Sequence, residues 1–218
     1  MATPIQSTRA QPLDEGAVRV LRNTYALLAM TLLFSAVTAG ISMTMRMPYM
    51  GLWTMLPYVF FLFMVEKNKN NASGLLWVFA LTGWLGFSLG PIVNFYVRGV
   101  GYEPILTALG GTAVIFFGLS SYVLVTRRDF SFASGFLCTG LLVAFVAGIA
   151  NYFLHIKALG LVVTCMFLFL SSGAILWQTS AIVHGGERNY ISATVTLFVS
   201  LYNIFVSLLS LLGAGGRD

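Results

Sequence analysis

The chain has 218 residues, of which 58% are hydrophobic and only 9% are charged, against roughly 25% charged in an ordinary soluble domain. Too few charges are present to cover the surface of a soluble domain, which excludes a free cytosolic enzyme, a disordered protein and a disulfide scaffold. The net charge of +5 comes from 12 basic and 7 acidic residues scattered along the chain. This scatter favours a role in membrane topology over nucleic-acid binding.

Residues 1–22 form a polar segment that contains Pro4, Pro12, Asp14, Glu15 and three arginines. A cleavable signal peptide requires an apolar central region, which this segment lacks. We therefore predict a flexible cytoplasmic tail. The first apolar run would then act as an uncleaved signal anchor.

Seven apolar stretches follow, and each is long enough, or nearly so, to cross a bilayer core of about 30 Å as a helix. The second is the shortest and contains Pro57, which should kink it. The sequence thus predicts an all-α membrane protein with seven transmembrane helices and a short C-terminal tail, residues 213–218. The predicted spans are 23–45, 48–65, 73–96, 103–126, 132–154, 158–183 and 190–212.

The basic residues of the loops predict the orientation, because cytoplasmic loops carry an excess of lysine and arginine. With seven spans, eight basic residues share a side with the N-terminus and four lie opposite. We therefore expect the N-terminus in the cytoplasm and the C-terminus in the periplasm. The first group is Arg9, Arg19, Arg22, Lys67, Lys69, Arg127, Arg128 and Arg188, and the second is Arg46, Arg98, Lys157 and Arg217.

The seven acidic residues all fall in predicted tails, loops or span ends. Ion-coupled transporters usually need an acid within the membrane, so their absence there counts against cation transport, although backbone carbonyls can also coordinate an ion. The chain also lacks the P-loop, GxSxG and HExxH motifs. We expect no catalytic, cofactor or metal site. The acids are Asp14, Glu15, Glu66, Glu103, Asp129, Glu187 and Asp218.

The histidines and cysteines are few and separated. His155 and His184 fall near opposite ends of different spans, which favours interfacial structural roles over a metal site. Cys138 and Cys165 lie within spans five and six, where thiols are most often packing residues.

Small residues recur in span three, where Gly86 and Gly90 have a GxxxG spacing and Gly83 precedes them. Small residues allow helix backbones to approach closely in lipid, so tight packing is favoured over a substrate path. Pro91 follows Gly90 inside this apolar run. We predict a structural kink there, in preference to a gating hinge, with Asn94 as a candidate partner for a freed carbonyl.

The last two spans contain further polar residues. Gln178 lies in span six, and Ser200, Asn203 and Ser207 share one helical face of span seven. This face should point inward. Interhelical hydrogen bonding is favoured, and a hydrophilic cavity is the alternative.

Four sequence blocks resemble the Bax inhibitor-1 family, and they extend over nearly the whole chain. The most specific is HGGERNYISAT at 184–194, which runs on into LYNIF at 201–205. The others are VLRNTY at 20–25, Gly90-Pro91 with Asn94, and ALGGTA at 108–113. The resemblance implies a seven-helix bundle of the Bax inhibitor-1 type in which one helix, the seventh, is central.

The resemblance implies two alternative functions. The closer similarity is to a bacterial branch of inner-membrane proteins that bind and modulate the FtsH protease. Such a protein would act with FtsH and its membrane accessory proteins in protein quality control, as a slowly degraded inhibitor and not as an enzyme.

Other members of the family are pH-sensitive calcium or cation leak channels, in which two aspartates on the sixth and seventh helices share a proton. Those positions correspond to Gln178 and Ser200, with Asn203 nearby in a polar core. Neither Gln178 nor Ser200 can ionise, so a proton-sharing pair cannot form.

Overall fold

The computed structural model of the chain describes residues 14–215, with side chains to residue 213. Within these residues it contains seven α-helices, two short 3₁₀ turns and no strand. The helices are α1 (Glu15–Thr44), α2 (Met55–Asn68), α3 (Ser73–Gly99), α4 (Glu103–Thr126), α5 (Ser134–Leu154), α6 (Lys157–Val183) and α7 (Tyr190–Gly215). The turns span Gly51–Thr54 and Ser131–Ala133.

Helix α7 lies at the centre of the bundle, as the resemblance implied. It packs against α1, α2, α3, α4 and α6, whereas α5 packs on α6 at the periphery. Its sequence has no charged residue from Tyr190 to Gly215, so every face can be buried without an unpaired charge. Ala193, Leu197 and Ile204 of α7 are accordingly inaccessible to solvent.

The two ends of the bundle are defined by contacts between helix termini. The proximal end holds the beginning of α7, because Asn189 contacts Lys69 after α2 and the Thr194 hydroxyl donates to the Thr24 carbonyl near the beginning of α1. The distal end holds the end of α1, where Ser42 lies against Gly90 of α3. The segment between α1 and α3 therefore carries the chain from the distal to the proximal end.

The second predicted span differs most from the structure. Within the described residues, six helices are long and apolar enough to cross a membrane, and α2 is not among them. With 14 residues it extends only about 21 Å. Gly51 has a φ of +56°, which the interior of a right-handed α-helix cannot include. Pro57 lies in the first turn of α2, where its missing N–H is tolerated instead of producing a kink.

The beginning of α2 is held inside the bundle and not at its distal end. The Trp84 indole N–H donates to the Thr54 carbonyl at 3.0 Å. Trp84 lies in the middle of α3, so the preceding residues enter the bundle in irregular and 3₁₀ conformation before the helix begins. This bond gives the half-buried indole N–H a hydrogen-bond partner.

Helix α1 begins at Glu15, eight residues before the predicted span. Asp14 precedes it and Glu15 lies in its first turn, where negative charge is favourable beside the helix N-terminus. Ala17 is already buried. Residues 15–22 are thus helical, and the prediction of a flexible tail concerns residues 1–13, which lie outside the described residues.

The remaining predicted boundaries fall within about three residues of the observed ones. The span 103–126 coincides with α4, and α7 continues to Gly215 instead of ending at residue 212. Residues 216–218 of the predicted C-terminal tail lie outside the described residues. All six acids within residues 14–215 lie at a helix end or in a loop, as predicted.

The glycines of α3 form a close helix contact with α1. An added Cβ would lie 2.6 Å from the Phe34 ring at Gly83, 2.3 Å from the Ser35 carbonyl oxygen at Gly86 and 2.6 Å from Ser42 at Gly90. Backbone approach at these positions is possible only without a side chain, which is the small-residue packing that membrane helices use.

Candidate functional site

The positions that correspond to the acid pair of the family, Gln178 and Ser200, are both buried where α6 packs on α7. Gln178 is 1% exposed and Ser200 is 4% exposed. The Ser200 hydroxyl donates to the Thr196 carbonyl of its own helix at 2.8 Å. The Gln178 side-chain nitrogen has no hydrogen-bond partner among residues 14–213. No proton can be shared here, because neither side chain is an acid.

The polar face predicted on α7 is directed largely inward. Ser200 and Ser207 are buried, and Asn203 is half-buried. The neighbouring Tyr202 hydroxyl lies 3.5 Å from the Ser88 hydroxyl of α3, at the limit of hydrogen-bonding distance. That contact comes from Tyr202, next to the predicted face, while the Ser200 hydroxyl bonds within its own helix. The interhelical bonding predicted for Ser200 is therefore not observed.

Six hydroxyl groups on α1, α4 and α6 resemble the Gln178 amide nitrogen, because they have no hydrogen-bond partner among the described residues. In hydrocarbon, a polar group without a partner costs several kcal/mol, so these atoms mark places where the bundle does not satisfy itself. The atoms without a partner among the described residues include the hydroxyls of Thr24, Tyr25, Ser42, Ser120, Ser171 and Thr179.

The spacing of polar residues in α1 could have predicted two of these unpartnered hydroxyls, those of Thr24 and Ser42. Thr24, Thr31, Ser35 and Ser42 are spaced seven, four and seven residues apart, and all four are buried. This is the spacing of a single helix face. A polar stripe of this kind in an otherwise apolar helix identifies the side that faces protein instead of lipid.

The Gly90-Pro91 pair lies within α3, which continues unbroken from Ser73 to Gly99. Gly90 serves the close contact with α1 described above. The Asn94 side chain makes no hydrogen bond within the described residues, so it does not act as the predicted partner. The kink and any hinge at Pro91 stay predictions.

The specific HGGERNY block forms the loop that begins α7. Gly185 has a φ of +74°, a left-handed conformation that favours glycine. The Asn189 side-chain oxygen accepts the N–H groups of Ile191 at 2.9 Å and Ser192 at 3.2 Å, which caps the helix. Its amide nitrogen donates to the Lys69 carbonyl at 2.9 Å. One side chain thus begins the central helix and ties it to the α2–α3 loop.

The end of α6 holds the α4–α5 loop through Ser180. Its hydroxyl accepts the Phe130 N–H at 2.9 Å and donates to the Arg128 carbonyl at 3.2 Å. His184 Nδ1 donates to the Ser180 carbonyl at 2.9 Å. The Ser180 hydroxyl thus uses both its donor and its acceptor on backbone groups of the α4–α5 loop. This indicates a structural role for the serine and not that of a nucleophile.

Asp129 lies in this loop with its carboxylate engaged. The Ser131 backbone N–H donates to it at 2.8 Å, and this bond, with the Ser131 hydroxyl and nearby His184, holds the pKa of Asp129 below its ordinary value. The groups that stabilise the carboxylate form thus belong to this loop and to the adjacent end of α6.

The histidines and cysteines occupy separate positions. His155 ends α5 in a left-handed conformation with φ of 54° and lies far along the chain from His184. Cys138 and Cys165 are free thiols and are exposed on the outside of the bundle. No group of three or more metal-ligating side chains occurs in the part of the chain that was described.

Comparison with known proteins places the chain in one family. The family described as "Inhibitor of apoptosis-promoting Bax1" matches residues 17–217. The chain is 51% identical over 201 residues to "Modulator of FtsH protease YccA" of Escherichia coli K12, covering 92% of each chain. The equivalent Escherichia coli O6:H1 protein, at the same identity and coverage, is called "Inner membrane protein YccA".

A relative in Pseudomonas aeruginosa, an uncharacterized protein, is 50% identical over 202 residues, which cover 91% of this chain and 90% of that one. These matches extend over nearly the whole bundle and not over one motif. The chain belongs to the Bax inhibitor-1 family, the inhibitors of apoptosis-promoting Bax1.

Proposed function

We propose that the protein is an integral inner-membrane modulator of the FtsH protease, which it binds and inhibits as a slowly degraded substrate in membrane-protein quality control. The observation that carries the proposal is the 51% identity, over 92% of the chain, to a relative named as a modulator of that protease. The neutral residues Gln178 and Ser200 support this branch of the family over the leak channels. In this role the protein binds and is not an enzyme.

The packing of α1 supports slow degradation. A protease that pulls from the N-terminus must first separate α1 from the glycine surface of α3 and from α7. The Thr24 carbonyl would lose the Thr194 hydroxyl in that step. Each backbone group that is exposed to hydrocarbon then costs several kcal/mol, so extraction is slow and the protease stays occupied.

We propose that the protease begins at the polar residues that precede α1. A processive protease needs a segment outside the folded core, and Ala17 is already packed. Only residues before Glu15 can serve without unfolding the helix.

Pulse-chase labelling in cells with and without FtsH tests this step. Deletion of residues 2–12 should lengthen the FtsH-dependent half-life without altering membrane insertion. Replacement of the same residues by a glycine-serine segment of equal length is the control and should restore decay. If the deleted and full-length proteins decay at one FtsH-dependent rate, the segment is not where degradation starts.

We propose that the N-terminus is cytoplasmic, where FtsH could reach it, and that the C-terminus is periplasmic.

Affinity purification of the full chain from mild detergent should recover FtsH and its membrane accessory proteins. Failure to recover FtsH, with the chain intact and inserted in the membrane, would contradict the proposed partner.

A cation leak is the second candidate, and the unpartnered amide nitrogen of the buried Gln178 is the observation that favours it. Calcium flux into proteoliposomes decides between the two. The parent should show no pH-dependent flux, whereas Gln178→Asp combined with Ser200→Asp should gain it. A parent that leaks calcium with a midpoint near neutral pH would favour the channel.

A further inference from the structure

A long groove runs along the bundle between α1 and α4, with α7 as its floor. Both helices pack against α7 but not closely against each other, which leaves a cavity of about 740 Å³. Its rims are exposed and include Ala29, Ala36 and Gly40 on α1 and Ala113 on α4. No atom lies within 4 Å of a Cβ added at Gly40. The groove is therefore open to the surrounding hydrocarbon.

The groove has the length and lining of an acyl-chain site. It extends along α1 from Tyr25 to Met43, roughly 27 Å along the helix axis, which is close to the thickness of the hydrocarbon core. Aliphatic and aromatic side chains dominate its lining, among them Leu28, Phe198 and Phe205.

The proximal end of the groove differs from the rest because it contains hydroxyl groups that the protein leaves unpaired. Ser120 is 4% exposed, lines the groove and has no hydrogen-bond partner among the described residues. The buried Tyr25 hydroxyl, also in the lining, is equally unpartnered. A buried phenol normally finds a partner, so these two groups point to a ligand that brings hydrogen-bond acceptors to this end.

Two cations stand just beyond these hydroxyls. Arg22 precedes Tyr25 by three residues, one turn along α1, and is exposed. Arg127 follows the lining residue Leu124 by three residues and ends α4 in a left-handed conformation. Neither forms a salt bridge within residues 14–213. The nearby carboxylate of Asp129 is instead engaged by the backbone of its own loop.

We propose that the α1–α4 groove binds an anionic phospholipid whose headgroup lies at the proximal end. The phosphate lies between Arg22 and Arg127, the hydroxyls of Tyr25 and Ser120 donate to the ester oxygens beneath it, and the acyl chain follows the apolar lining. Basic positions between membrane helices are a recognised setting for anionic headgroups. A packed transmembrane helix fits less well, since its apolar surface brings no anion to the arginines.

Lipid binding to the full chain tests the headgroup site. The protein is purified in detergent, stripped of lipid and titrated with dioleoyl phosphatidylglycerol or dioleoyl phosphatidylcholine, and bound lipids are counted by native mass spectrometry. Phosphatidylglycerol should bind more tightly. Arg22→Gln combined with Arg127→Gln should weaken it about tenfold. The control, Lys67→Gln with Arg188→Gln, removes the same charge from the proximal end away from the groove and should bind as the parent does.

A second pair of variants tests the proposed acyl-chain site in the groove. Ala113→Phe fills the groove and should lower the number of bound phosphatidylglycerol molecules by one. Val114→Phe adds the same side chain at the adjacent residue, which is 73% exposed and outside the lining, and should change nothing.

Three results would overturn the proposal. Equal affinity of the parent for the two lipids would exclude headgroup recognition. Equal weakening by both arginine and control pairs would mean diffuse surface charge. If Ala113→Phe keeps its lipid but no longer recovers FtsH, the groove is a docking site for a helix of that protein instead. The first two results do not depend on whether the parent chain binds FtsH, and the third requires a parent that recovers FtsH.

Discussion

Asn189 makes four side-chain hydrogen bonds at the beginning of the central helix, so its replacement should destabilise the bundle. Asn189→Ala removes two cap bonds, to the N–H groups of Ile191 and Ser192, and two bonds to the α2–α3 loop, from its amide nitrogen to the Lys69 carbonyl and the Asn70 side chain. Loss of an N-cap costs about 1 kcal/mol, and each further bond about 0.5–1.5 kcal/mol. Because the loop is partly exposed, we expect a total near 2–3 kcal/mol.

Thermal unfolding in mild detergent, followed by tryptophan emission, measures this loss. A change of 1 kcal/mol shifts the Tm of a chain of this size by roughly 2–4 °C, so Asn189→Ala should lower the Tm by about 5–10 °C. Asn189→Asp separates the two contributions. It keeps the cap acceptor but replaces the donor to Lys69, and should lower the Tm by about half as much.

Asn70→Ala is the matched control, since it removes one bond to Asn189 and leaves the cap intact. It should lower the Tm by no more than about 2–3 °C. If Asn189→Ala has as small an effect as Asn70→Ala, neither the cap nor the link to the loop stabilises the central helix, and the reasoning is wrong.

Three further predictions concern packing, pH and topology. Gly86→Ala should strongly destabilise the bundle in the same assay, because its Cβ would lie 2.3 Å from the Ser35 carbonyl oxygen, whereas Gly110→Ala, with no atom within 4 Å, should not. The lowered pKa of Asp129 means that its carboxylate stabilises the α4–α5 loop above the ordinary aspartate pKa and that this stabilisation is lost as the pH falls through the lowered value. The protection factor of the Ser131 amide, which compares its exchange rate with the intrinsic rate at the same pH, should therefore fall below about pH 4, and Asp129→Asn should abolish that pH dependence. A reporter that is active only in the periplasm, fused after the last residue, should be active, and activity of a cytoplasmic reporter there would contradict the orientation.

The long apolar runs could be assigned from sequence because about 20 consecutive apolar residues have few alternatives to a membrane helix. The predicted span 103–126 coincides with α4 for this reason. The beginning of α2 could not be assigned, because it depends on the positive φ of Gly51 and on the bond from Trp84 to Thr54, which are thirty residues apart in sequence. The beginning of α1 was misjudged because its polar first turns conceal a buried face at Ala17.

The candidate site, like the fold, could be predicted from the sequence only in part. The resemblance identified Gln178 and Ser200, and the sequence itself showed that neither can ionise. Helical spacing indicated that Ser200 and Ser207 share a face, and both are buried. It could not show that the Ser200 hydroxyl bonds to its own helix while the amide of Gln178 lacks a partner, since that depends on distances to neighbouring helices.

The sequence by itself determined the membrane class, the helical fold, the family and the absence of an acid pair, because these depend on composition, apolar run length and residue identity at motif positions. The tertiary structure alone decided which polar groups are satisfied and where the bundle is open. The hydroxyls of Tyr25 and Ser120 have no partner, whereas those of Thr31 and Thr112 are bonded, and the sequence does not distinguish the two cases. Periodicity tells which residues share a face of one helix, whereas the gap between α1 and α4 arises from how both pack on α7.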